Sequence, residues 1–215
     1  MKLEHDLTKR KQYSYSEYRA MIDALHLEGK TTGTNHSEVM LGHSTMNVTR
    51  MKRLDKTSKI LPELGEIVKA LPAQKWLVIS EAWCGDAAQN LPLINALAEL
   101  NPDIELSIIL RDENLDIMDE YLTNGGRSIP KVIGLTADQE TIFDWGPRPQ
   151  LMQKTYTELK EEGQEYAEIS KTIHTMYARD KGQAFQAEFD NNAAKFVQVN
   201  QAIANETEAR VQTEQ

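Results

Sequence analysis

Cys84 is the one cysteine in 215 residues, and it stands where a thiol can do chemistry. It follows the apolar run Lys75-Trp76-Leu77-Val78-Ile79-Ser80, whose compactness and β-branched content predict a buried strand. It precedes residues 85–100, which place Leu91, Ile94, Leu97 and Ala98 on one helical face. A cysteine between such a strand and such a helix sits at the helix N-terminus, where free N–H groups and the dipole favour an anion. An ordinary thiol has a pKa of about 8.5, and values at helix N-termini fall to about 3.5–7.5. The first value gives a sluggish nucleophile, the second a reactive one.

Two carboxylates bear on that balance. Asp86 is well placed for the helix dipole but is a like charge near a thiolate, a repulsion of about 1–4 kcal/mol at surface-like screening. The balance predicts a modest fall in the Cys84 pKa, or none. Asp86 reads equally as a proton donor to a leaving thiolate and as an acid at the helix N-terminus. Glu81, three residues before the cysteine, could exchange protons with the thiol as a partly buried carboxylate. An exposed acid at the strand end is the plainer reading. Trp83 and Gly85 flank the thiol and, with the strand-to-helix position, favour a functional over a merely structural cysteine.

Composition narrows the alternatives. One cysteine forms no intrachain disulfide and no cysteine-based zinc site. The five histidines, His5, His26, His36, His43 and His174, lack paired ligand spacing, so no metal and no cofactor is expected. A formal net charge of -9 disfavours nucleic acid and anionic membrane as partners. The basic clusters Lys9-Arg10-Lys11 and Lys52-Arg53 are short and read as solvated helix faces. No segment is apolar for long enough to span a bilayer, and the first residues lack the apolar core of a secretory signal. The expected location is the cytoplasm.

Around the thiol, the chain predicts a strand–helix–strand–helix–hairpin order. Residues 104–110 read as a second buried strand, parallel to the first because a helix crosses between them. Residues 114–122 read as a short helix. Residues 130–135 and 140–145 read as two strands joined by a hairpin loop. Helices are predicted before this core, over 14–28, from 35–37 to about 55, and from Pro62. The second of these shows a thin apolar face of Met40, Met51 and Leu54. Beyond Pro149, amphipathic stripes run to Met176 and, past Gly182, through Phe185, Phe189, Phe196, Val199 and Ile203. Such faces need the sheet, the N-terminal helices or a second subunit to cover them, and their length predicts a homodimer.

The residues Trp83-Cys84-Gly85-Asp86-Ala87 resemble the Trp-Cys-Gly-Pro-Cys motif of the thioredoxin-like superfamily. Cys84 matches the exposed nucleophile, Asp86 replaces the proline and Ala87 replaces the resolving cysteine. Ile129 and Pro130 are similar to the cis-proline segment that opens the third core strand, and Gly146 matches a glycine after the last strand. The resemblance covers roughly residues 60–160. It implies an α/β thioredoxin-like fold, a central mixed sheet with helices on both faces. Residues 1–59 and 161–215 would be helical extensions that pack with this core as one globular unit. The family's buried aspartate in the first core strand is matched by Val78 and is absent.

With Ala87 in place of a second thiol, a mixed disulfide on Cys84 has no intramolecular resolving nucleophile. The chain alone therefore cannot be a dithiol reductase. The resemblance implies a monothiol thiol–disulfide oxidoreductase. Cys84 would attack, Asp86 and Glu81 would handle protons, and the backbone beside Ile129 and Pro130, with Trp83 and Gly85, would hold the substrate. A protein or low-molecular-weight thiol would supply the second sulfur. The alternative is a redox-inactive peptide- or protein-binding module on the same groove. Cys–His hydrolysis is disfavoured because no histidine lies near Cys84 in sequence. Arg148 and Arg127 read as anion contacts or, more plainly, as a structural turn beside a buried Trp145 and a surface arginine. The 145–148 corner is expected some distance along from Cys84, with the same face of the fold left open to it.

Overall fold

The computed structural model describes residues 1–190. Its centre is β1 (Gln74–Ser80), in which six of the seven residues are fully buried. A strand flanked on both edges and covered on both faces has no solvent side, so it shows a run of apolar residues rather than an alternation. β2 (Ile104–Leu110) pairs with it in parallel, Val78 opposite Ile108. β3 (Lys131–Leu135) pairs with its other edge antiparallel, Val78 opposite Val132. β4 (Thr141–Trp145) closes the hairpin antiparallel to β3. The sheet order is β2-β1-β3-β4 with helices on both faces, the α/β thioredoxin-like architecture. The N-terminal segment blunts both sheet edges. Lys2 bridges to Glu140 beside β4, and Tyr13 bridges to Ile108 of β2.

Three helices precede the sheet. α1 (Tyr15–Leu27) begins with a capping box: Glu17 N–H donates to the Ser14 hydroxyl, and Ser14 N–H donates to the Glu17 carboxylate. α2 (Glu38–Thr57) packs on α4 (Gly85–Ala98) and buries Ser44, Asn47, Val48 and Met51; of the expected Met40-Met51-Leu54 stripe only Met51 is buried, and the rest of the buried face is more polar. Asn47 is tolerated there because its amide donates to Ala82 O at 2.9 Å, fixing the loop that carries Cys84. α3 (Pro62–Lys69) follows with proline in its first turn.

The helix expected over 114–122 is shorter. A 3-10 turn at Arg111–Glu113 precedes α5 (Leu115–Met118), and Asn114 between them has non-helical dihedrals, φ -138° and ψ 49°. After β4 come α6 (Gln150–Glu161) and α7 (Tyr166–Asp180), with Gly163 at φ +77° in the turn between them. Residues 183–190 are again helical. Their Phe185 and Phe189 are buried within the chain. Phe189 meets Trp76 edge-on at 5.0 Å and Phe143 at 5.3 Å, and Phe185 meets Trp145 at 4.8 Å. This part of the aromatic stripe covers the sheet, while Phe196, Val199 and Ile203 lie outside the described residues. No helix among the described residues is long and apolar enough to cross a membrane.

Candidate functional site

Cys84 is the N-cap of α4, with extended dihedrals and its sulfur accepting from Ala87 N–H at 3.4 Å. The thiol donates to the carbonyl oxygen of Ile129 at 3.1 Å. The Ile129–Pro130 peptide is cis, as is Gly146–Pro147. Gly146, at φ +121°, packs under this loop, and a β-carbon there would lie 2.1 Å from Pro130 O. Glycine is therefore required for the exit of β4 to pass beneath the loop that faces the thiol.

The side chain of Cys84 is almost enclosed, 8% exposed. Burial, and after it the neighbouring Asp86 charge, push the thiol up to about 12, against the Ala87 and Asp86 N–H groups and Arg148. This overturns the expectation of a modest fall or none. The helix N-terminus acts in the expected direction, but the loss of water around the sulfur outweighs it.

Asp86 does not contact the sulfur in the hydrogen-bond network. Its Oδ2 accepts from Arg148 Nε at 3.0 Å and Nη2 at 2.6 Å. Its Oδ1 accepts from the Tyr177 hydroxyl at 2.8 Å, and that hydroxyl accepts from Asn90 at 3.1 Å. Arg148 lies over the Tyr156 ring at 4.2 Å. The start of α4 is thereby tied to the β4–α6 corner and to α7. The corner expected some distance along from Cys84 lies on its face and reaches its motif through Arg148, and Trp145 is buried as in the turn reading.

Glu81 is fully buried rather than exposed at the strand end. It accepts from Asp112 N–H at 2.9 Å, and burial raises its carboxyl pKa. It is not part of the cavity lining described next.

A cavity of about 450 Å³ opens beside the thiol. Cys84, Trp83, Gly85, Asp86 and Ile129 line it, whereas Pro130 is buried and is not among the lining residues. Arg111 crosses the Trp83 ring at 4.7 Å, and Arg127 is held by both oxygens of Asp119 at 2.6 and 2.8 Å.

Arg50 and His174 are among the lining residues that had no local sequence signal. Arg50 of α2 donates to Asn47 Oδ1 at 2.7 Å. His174 of α7 fills the space that a side chain at position 85 would need: a β-carbon on Gly85 would lie 2.6 Å from His174 Nε2. A histidine therefore does stand beside the motif, brought there from the far end of the chain. Burial, and then Arg50, lower its pKa to about 4, so it is neutral near pH 7. The sulfur's hydrogen bonds nevertheless go to Ile129 and Ala87, not to His174.

The sequence matches the family model described as thioredoxin over residues 33–160. A comparison with curated proteins gives no match. Two solved structures are similar, each at 18% identity and a TM-score of 0.48. The crystal structure of an HIV epitope scaffold covers 88% of this chain and 99% of its own. That of a Pseudomonas aeruginosa protein of unknown function covers 89% and 99%. The family match spans more than half of the sequence and takes in all four strands, Cys84 and Pro130, and the chain belongs to the thioredoxin family.

Proposed function

We propose that this protein is a thioredoxin-fold binding module, whose cavity receives a small ligand beside a protonated and unreactive Cys84. The observation that carries this reading is the state of the thiol. It is buried, gives its hydrogen to Ile129 O and has a pKa pushed up to about 12. Such a thiol is almost wholly protonated at pH 7, and the thiolate is the nucleophile in disulfide exchange. The cavity meanwhile has the volume of a small-molecule site, which is typically about 300–1,000 Å³. Alkylation of the native chain by iodoacetamide tests the reading. The expected result is a rate far below that of free cysteine at pH 7.5.

A monothiol thiol–disulfide exchange is the second reading, favoured by the Ala87 N–H aimed at the sulfur from the start of α4. In it, the Cys84 thiolate attacks a disulfide RS–SR′, forming Cys84–S–SR and expelling R′S⁻. An external thiolate R″S⁻ then attacks the R sulfur, giving RS–SR″ and restoring the Cys84 thiolate. Turnover between a small disulfide and an added thiol, lost in Cys84→Ser, would decide for this reading and against the first.

A further inference from the structure

The cavity gathers positive charge in an acidic protein. The chain carries -9 overall, yet four arginines line this one space, Arg50, Arg111, Arg127 and Arg148, against the single carboxylate of Asp86. Three of the four are paired: Arg111 with Asp112, Arg127 with Asp119 and Arg148 with Asp86. Arg50 has no carboxylate within ion-pair distance among the described residues. Its one side-chain hydrogen bond goes to the neutral amide of Asn47. It is partly buried, and burial and then the charge of nearby Arg53 work against its ionised form, offset only at a distance by Asp86, whose oxygens are taken by Arg148 and Tyr177. A guanidinium partly withdrawn from water and left without a direct ion pair is costly unless an anion completes it.

His174 stands next to it. Both side chains converge on Gly85: an Arg50 Nη1 lies 3.6 Å, and His174 Nε2 2.6 Å, from the position of a β-carbon there. Gln89 Nε2 is 3.4 Å from His174 Nδ1. An amide N–H donating to Nδ1 leaves the imidazole proton on Nε2, the nitrogen that faces Gly85. The pair then offers a planar charged fork and one neutral donor. That is the complement of a carboxylate, which accepts from a guanidinium through two oxygens. The rest of the wall is mostly apolar or aromatic, with Met40, Met46, Trp83, Tyr166 and Ile173, and carries His43, Ser128 and Ser170 as further polar members.

We infer that the cavity binds an organic carboxylate, its carboxyl group on Arg50 and His174 and its apolar body along Trp83 and Ile173. This rests on the binding-module reading and names the class of ligand. One unpaired guanidinium beside a neutral histidine selects a monoanion with an apolar tail over inorganic phosphate. Arg50 supplies the charge, and His174 sets the direction from which the second oxygen is met.

Isothermal titration calorimetry on the full chain, with 4-phenylbutyrate as the probe, tests the inference. The acid is expected to bind one-to-one, with 4-phenylbutyramide and inorganic phosphate each at least tenfold weaker. Arg50→Gln is expected to weaken the acid at least tenfold and Arg50→Lys less, with native circular dichroism in both. Equal binding of acid and amide, tighter binding of phosphate, no binding of the acid, or unchanged affinity in a folded Arg50→Gln would each overturn it. The acid–amide comparison needs no variant, so it stands even where a substitution unfolds the chain. Amide binding as strong as the acid's would remove the anion and leave the module. Disulfide turnover that depends on Cys84 would remove the module itself.

Discussion

Arg148 and Asp86, 62 residues apart, form a two-pronged contact in which Nε and Nη2 both donate to Oδ2. Both side chains are 13% exposed. The pair joins the first turn of α4 to the corner after β4, and Tyr177 extends it to α7. Arg148→Gln removes the charge and one prong. Leaving Asp86 partly buried without its cation is expected to cost about 2–4 kcal/mol of stability, measured by urea unfolding at pH 7.

Asp86→Asn isolates the second largest cause of the raised Cys84 pKa. Removing the like charge is expected to lower it, while burial, the largest cause, keeps it above the ordinary value for a thiol. Thiolate absorbance against pH checks both parts. A fall to the ordinary value or below would show that charge, not desolvation, controls the sulfur.

Gly85→Ala places a methyl group where His174 Nε2 and Cε1 now lie. Relief requires the His174 ring to swing aside or α7 to shift, at an expected cost of about 1–3 kcal/mol. The cover over Cys84 loosens with it, so alkylation of the thiol is expected to accelerate. An unchanged rate at reduced stability would mean that the His174 ring does not guard the sulfur.

The depressed pKa of His174, 6.5 to about 4, makes stability depend on acid. Between these values the unfolded chain binds a proton that the folded chain resists. Stability is therefore expected to fall as pH drops from about 6.5 towards 4, by roughly 1–3 kcal/mol for this group. The share due to His174 disappears in His174→Gln, which denaturation series at pH 7 and pH 4.5 can show.

Phe189→Ala removes a ring that meets Trp76, Phe143 and Phe185 at 5.0–5.3 Å. Loss of a buried aromatic is expected to cost about 3–5 kcal/mol. A cost below 1 kcal/mol would mean that residues 183–190 contribute little to holding the sheet.

How much of this was legible depended on the range of the interactions. β1 was readable because a strand covered on both faces writes a continuous apolar run, and β2 because its second half, Ile108–Leu110, does the same. The position of Cys84 followed from the change of periodicity at residue 84. The neighbours of the motif were not readable in the same way. Arg148, Tyr177 and His174 come from the β4–α6 corner and α7, and nothing local to residues 145–177 marks which side chains return to α4. Glu81 looked like a strand-end acid because its partner, the Asp112 N–H, is 31 residues away. The direction of the Cys84 shift depended on the same missing information. The sequence places the sulfur at a helix N-terminus, but only the folded chain shows how completely it is covered.

The central claim is that Cys84 is a protonated, covered thiol beside a ligand cavity. Its most direct test is the titration of thiolate absorbance in the native chain, with Cys84→Ser as the blank for tyrosine ionisation. The account predicts no thiolate below pH 10 while the chain remains folded. A midpoint at or below about 8.5, the ordinary value for a free cysteine, would contradict it and turn the site back into a monothiol nucleophile.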